Sequence, residues 1–133
     1  MEHNISLPVT SVTALLLGAL ILWLTLKVVK MRRLHKVVLG DNDNRDMAKA
    51  IRGHANAVET IPMSLILMGL SELAGAWTSW LALLACGLII GRGLHARYFT
   101  APGTHFKFRY YGMLTTVIVQ VNLLLTLGLT LIL

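Results

Sequence analysis

A single cysteine, Cys86, serves the whole chain, and six acidic side chains stand against twelve basic ones. One thiol excludes an intrachain disulfide framework. Its setting in an apolar run makes it a buried structural thiol by expectation. No internal repeat or low-complexity tract divides the sequence, and 133 residues make a single domain, 1–133, the natural reading. A glycine-rich phosphate loop and a nucleophile elbow are both missing. The five histidines (His3, His35, His54, His95 and His105) show no metal spacing such as H-E-x-x-H. No metal is therefore expected. The first four residues, Met-Glu-His-Asn, are not basic, and the first apolar run is too long for the core of a signal peptide, so none is expected.

What the chain has instead is apolar surface. Hydrophobic residues make up 56% of it and the mean hydropathy is +0.70, above the range of soluble domains. Charge-free apolar runs cover Leu7 to Leu26, Leu73 to Gly91 and Tyr110 to Leu133. Each approaches the ~20 residues that a spanning helix needs. Between Glu59 and Glu72 the second run is too short to span unless it begins near Arg52. That places Glu59 about 10 Å inside the helix at ~1.5 Å per residue. The alternative is a re-entrant segment. With the second run counted as a span, the spans are 7–29, 49–71, 73–97 and 109–132, and the fold class is an all-α integral membrane four-helix bundle.

The charge distribution supports four spans. Lys27, Lys30, Arg32, Arg33, Lys36, Arg45, Lys49 and Arg52 surround the first connection, and Arg92, Arg97, Lys107 and Arg109 the third. The second connection has no basic residue. This bias puts both basic connections in the cytoplasm and both termini outside. The net charge of +6 is thus explained by topology, and no nucleic-acid partner is expected. Gly40-Asp41-Asn42-Asp43-Asn44 is a loop whose Asp43 or Asn44 caps the second helix, with Asp46 in its first turn. Ala101-Pro102-Gly103-Thr104 is a turn. Pro62 frees a carbonyl within the second span, and Gly87, Gly91 and Gly93 permit close helix approach in the third.

Charged groups in a spanning helix are costly and point to function. Arg52, Asn56 and Glu59 fall within about 60° of one another on a helix. Lys49 and Met63 extend the stripe, and His54 points away, toward a neighbouring helix or loop. A cation, an amide and a carboxylate on one face suit a ligand carrying both signs of charge. The bland alternative is an internal salt bridge between Arg52 and Glu59. Arg92, His95 and Phe99 form a second group at i, i+3 and i+7, with Arg97 and Tyr98 beside them as interfacial anchors. Arg109, Tyr110 and Tyr111 open the fourth span, where Arg109 meets lipid phosphate or turns inward. Lys30, Arg32 and Arg33 end the first span as topology signal and lipid contact. Gln120 and Asn122 supply interhelical hydrogen bonds.

Arg52-x-His54-x-Asn56-x-x-Glu59 close to Pro62, with Arg92-x-x-His95 and Arg109 in the later spans, resembles the MAPEG family (membrane-associated proteins in eicosanoid and glutathione metabolism) along essentially the whole chain. The resemblance is to the short bacterial members, which implies an inner-membrane homotrimer with glutathione bound at each subunit interface. By the same resemblance, Arg52, Asn56, Glu59, His95, and Arg32 or Lys30 contact glutathione as co-substrate. Arg109 matches the arginine that stabilises its thiolate. Arg92, Tyr98, Lys49 and His54 are further pocket candidates. Phe99 stands where several active members carry tyrosine, and Lys49 where some carry arginine. The implied activity is glutathione transfer to, or peroxide reduction of, a lipophilic small molecule arriving from the membrane lipids. A non-catalytic lipid- or glutathione-binding scaffold is the first rival. A small proton-coupled multidrug transporter is the second, although such proteins place their key acid alone in the first helix.

Overall fold

The structure, a computed structural model, describes residues 6–132; His3 and the two chain ends lie outside the described residues. Four helices follow one another: α1 (Pro8–His35), α2 (Arg45–Leu73), α3 (Thr78–Thr100) and α4 (Lys107–Ile132). Three of them, α1, α3 and α4, are long and apolar enough to cross a membrane. The remaining helix, α2, carries Lys49, Arg52, His54, Asn56 and Glu59, yet it packs against all three others. Its 29 residues form one helix through Pro62, with no re-entrant break. The chain is an all-α integral membrane protein built as a four-helix bundle.

Packing is asymmetric. The α2–α3 pair is central, α1 and α4 each pack on both of its members, and α1 and α4 do not meet. Leu17 and Leu24 of α1, Ile61 and Met68 of α2, Leu81 and Leu88 of α3, and Leu123 of α4 form the apolar core. Most other large apolar side chains face outward, as lipid requires and water would not favour. Cys86 belongs to this outer layer: it is exposed, not buried. In a membrane helix apolar on every side, an apolar run does not distinguish core from lipid face, and the expectation of a buried thiol fails for that reason.

Two bare backbones fix α3. An added Cβ on Gly53 of α2 would lie 2.6 Å from Cβ of Phe99. One on Gly112 of α4 would lie 2.6 Å from the backbone nitrogen of His95 and 2.7 Å from the carbonyl oxygen of Gly91. The segment from Gly91 to Phe99 is thus clamped between two glycines on different helices. Gly91 and Gly87 are tight as expected, facing Thr115 and Val119 respectively, whereas Gly93 has open space beside it.

The ends are capped by specific groups. Asn44 accepts from the backbone N–H of Met47 at 3.0 Å, starting α2 where expected. The carboxylate of Glu72, at the end of α2, accepts from the backbone N–H groups of Val9 and Thr10 at 3.0 and 2.9 Å. It satisfies two of the orphan donors that begin α1 and complements the helix dipole. Lys27 donates to the carbonyl of Thr100, at the last turn of α3, at 2.7 Å. Gln120 donates from α4 to the Thr60 carbonyl and the Ser64 hydroxyl of α2 at 3.2 and 3.1 Å, the interhelical role expected of it. Asn122 differs: it donates to Ile118 on its own helix at 2.8 Å.

Candidate functional site

At the basic end of the bundle, a cavity of about 560 Å³ opens on the surface between α2, α3 and α4. One side is polar, with Asn56 from α2, His95 from α3 and Arg109 from the first turn of α4. The other is apolar, with Phe106, Tyr110, Met113, Leu114 and Val117. Such a combination, mostly apolar with a few convergent polar groups, is the usual form of a small-molecule site.

Asn56 lies on the half-buried edge of α2, and its side-chain oxygen is buried without a hydrogen-bond partner. His95 is buried at 3% exposure and its ring packs on Phe99 with centroids 4.9 Å apart. Arg92, one turn earlier, is fully buried; its Nη2 lies 3.3 Å from Nδ1 of His95, while its Nε and Nη1 have no partner. Arg109 is exposed, and its guanidinium carbon sits 5.8 Å from the centre of the Phe99 ring. The Phe99 ring therefore offers a cation–π face to Arg109, lacking the hydroxyl a tyrosine would add.

Other sequence candidates are dispersed. Arg52 borders a separate cleft of about 210 Å³ beneath the first loop, beside Gly40, Asp41, Ala48 and Ile51. Glu59 is exposed on the same helix. Among the described residues, no side-chain hydrogen bond reaches Arg52 or Glu59, and no internal salt bridge joins them. Arg32 donates to the loop carbonyls of Val38 and Gly40 at 3.2 and 3.1 Å, and Lys30 is exposed. Lys49 stacks over the Tyr98 ring at 4.5 Å and lines a third cleft with Lys27, Met31 and Asp46. Tyr98 meets Phe99 edge-on at 5.0 Å and does not line the larger cavity. His54 turns toward α1, its Nε2 3.0 Å from the Thr25 hydroxyl. This is the neighbouring-helix contact expected.

Sequence reasoning missed the apolar wall. Tyr110, Met113, Leu114 and Val117 recur at i, i+3, i+4 and i+7, a helical face continuing from Arg109. That spacing was available, but in a helix apolar on all sides it carries no contrast.

A four-helix bundle with three membrane-spanning candidates and a mostly apolar cavity at its basic end defines a class: all-α integral membrane proteins. The chain belongs to the MAPEG family, whose family model matches residues 10–129. It is also similar to the inner membrane protein YecN of Escherichia coli K12, with 33% identity over 108 residues and 81% of each chain covered. A YecN from Escherichia coli O6:H1 matches to the same extent. The family includes glutathione transferases and peroxidases, and also members without catalytic activity.

Proposed function

We propose that this protein is a glutathione-dependent transferase or peroxidase of the inner membrane, acting on lipophilic electrophiles. The observation that carries this reading is the composition of the 560 Å³ cavity, with Asn56, His95 and Arg109 facing a wall of Tyr110, Met113, Leu114 and Val117. A charged tripeptide fits the first set and a membrane-borne substrate the second. The orphaned oxygen of Asn56 offers an acceptor to a peptide N–H. Glu59, one turn further along α2, accepts from the ammonium, and Arg52 clamps a carboxylate.

Arg52 and Glu59 are exposed on the isolated protomer, and the cavity leaves Tyr110 and Leu114 largely uncovered, at 58% and 41%. A second copy of the chain would cover these residues and bring the stripe on α2 to bear on a shared ligand. This favours self-association, and the family resemblance makes the assembly a homotrimer with one site at each subunit interface. The basic connections would face the cytoplasm, where glutathione is present, and both termini would lie outside.

Arg109 supplies the electrostatics. A free thiol ionises near pH ~8.5, and an adjacent guanidinium lowers that value by roughly 1–3 units. The glutathione thiolate bonds to the electrophilic carbon as the halide leaves with its electron pair, the thiol proton having gone to solvent. In the peroxidase direction, two glutathiones and one hydroperoxide give disulfide, alcohol and water. The Phe99 ring face holds the Arg109 guanidinium toward the cavity by the cation–π contact.

Glutathione binding by calorimetry and conjugation of a generic aryl halide, both on purified protein, test the reading. Saturable binding with turnover supports it. Binding without turnover or thiolate formation would indicate the scaffold reading. Proton-driven dye efflux lost on Glu59→Gln would indicate a transporter.

A further inference from the structure

Arg92 is the least expected side chain in the bundle. It is fully buried within one protomer, so no second subunit can reach it without rearrangement. Among the described residues, no carboxylate pairs with it. Its Nε and Nη1 are buried without acceptors, and its one polar contact is Nη2 to Nδ1 of His95, 3.3 Å away. A buried, unpaired cation is a stability liability that a similarly sized apolar residue would avoid. In a membrane helix such a residue is expected to serve function.

The chemistry of that contact is one-directional. A guanidinium has donors and no acceptor. Nδ1 of His95 must therefore accept, which leaves the ring proton on Nε2. His95 cannot easily swing away: Gly112 of α4 presses on its backbone and Phe99 packs on its ring. With Nδ1 turned to Arg92, the opposite ring edge is the one available to the cavity that His95 lines.

The geometry points to Arg92 as a positioning residue that fixes His95 in its Nε2–H tautomer, so that His95 donates a hydrogen bond into the cavity beside Arg109. The recipient is an anionic or developing-anionic atom of the bound substrate: the glutathione sulfur, or the oxygen released when a peroxide is cleaved. That role rests on the glutathione reading, whereas the tautomer itself does not. Arg92 touches no substrate and acts only through His95.

Nitrogen-15 NMR of histidine-labelled protein in detergent, at neutral pH and without glutathione, reads the tautomer directly, with His95 identified by its loss in His95→Gln. The wild type is expected to show an unprotonated Nδ1 and a protonated Nε2. Arg92→Met should let the Nδ1–H form appear, with thermal stability unchanged or raised. Its kcat for aryl-halide conjugation should fall by about 10²-fold while KM for glutathione changes little. An Nδ1–H or doubly protonated His95 in the wild type would overturn the inference, as would an Arg92→Met protein with unaltered tautomer. If Arg92→Met does not fold, the wild-type spectrum alone decides. Absence of any turnover would count against the glutathione reading and leave the tautomer assignment standing, so the two fail separately.

Discussion

The two ends of this bundle differ in how many buried polar groups they leave unmatched. At the Glu72 end, side-chain polar groups are mostly matched, the Thr10 hydroxyl being the one buried exception among the described residues. Glu72 holds two backbone donors of α1, Ser71 donates to the Leu67 carbonyl at 2.8 Å, and Trp80 donates to Thr126 at 2.9 Å. Midway along, Gln120 ties α4 to α2 through two acceptors. At the basic end, Asn56 leaves a buried oxygen unmatched and Arg92 leaves two buried nitrogens unmatched. The difference separates residues that hold the fold together from residues whose polarity is left for a ligand or for a neighbour in the site. Native bundles keep few such orphans, and those of Asn56 and Arg92 lie on, or one residue contact behind, the 560 Å³ cavity.

That contrast can be broken from either side. The largest effect is expected for Arg109→Ala, which should reduce conjugation by roughly 10²- to 10³-fold. Thermal stability should not change, because Arg109 is exposed and makes only a cation–π contact with Phe99. Glutathione binding, measured by calorimetry, should weaken less in this variant than in Glu59→Ala. Wild-type conjugation by Arg109→Ala would remove the arginine from the mechanism.

Next in size is Gly112→Ala, whose methyl group would meet the His95 backbone nitrogen at 2.6 Å. Displacing α3 or α4 should cost about 1–3 kcal/mol of stability and lower activity together. This variant joins the two ends of the comparison, since the glycine both packs the fold and sets the histidine. Thermal unfolding alongside aryl-halide turnover would show whether the two losses travel together.

Glu72→Ala should cost about 1 kcal/mol by removing the cap on α1, with turnover unaffected. A loss of activity at wild-type stability would show that the matched end participates in function after all. The smallest effect is expected for Gln120→Leu. It exchanges one interhelical amide for an apolar side chain, and such bonds in membranes average only about 0.6 kcal/mol.

Much of this was legible in the sequence because membrane solvent imposes simple rules. Apolar run lengths and the positions of twelve basic residues defined a four-helix membrane protein, and Asp43 or Asn44 marked the start of α2, with Asn44 the cap in the structure. The stripe of Arg52, Asn56 and Glu59 stood out because polar residues contrast with an apolar helix, yet only Asn56 of the three lines the cavity, Arg52 bordering a separate cleft. The outward-facing Cys86 and the apolar wall of α4 were hidden for the converse reason: lipid and protein core demand the same residue types. The tie between Glu72 and α1 links residues more than sixty positions apart, which helical periodicity does not address. The burial of Arg92 was equally invisible, because its position near the end of α3 suits snorkelling as well as it suits the interior.

Arg109 is proposed to hold a glutathione thiolate in the cavity between α2, α3 and α4. Ultraviolet difference absorbance of glutathione added to the purified, folded protein tests it most directly. A saturable thiolate band at neutral pH is expected in the wild type, and its disappearance in Arg109→Ala. A correctly folded wild-type protein that binds glutathione with no thiolate band, or an Arg109→Ala protein that retains the band, would contradict it.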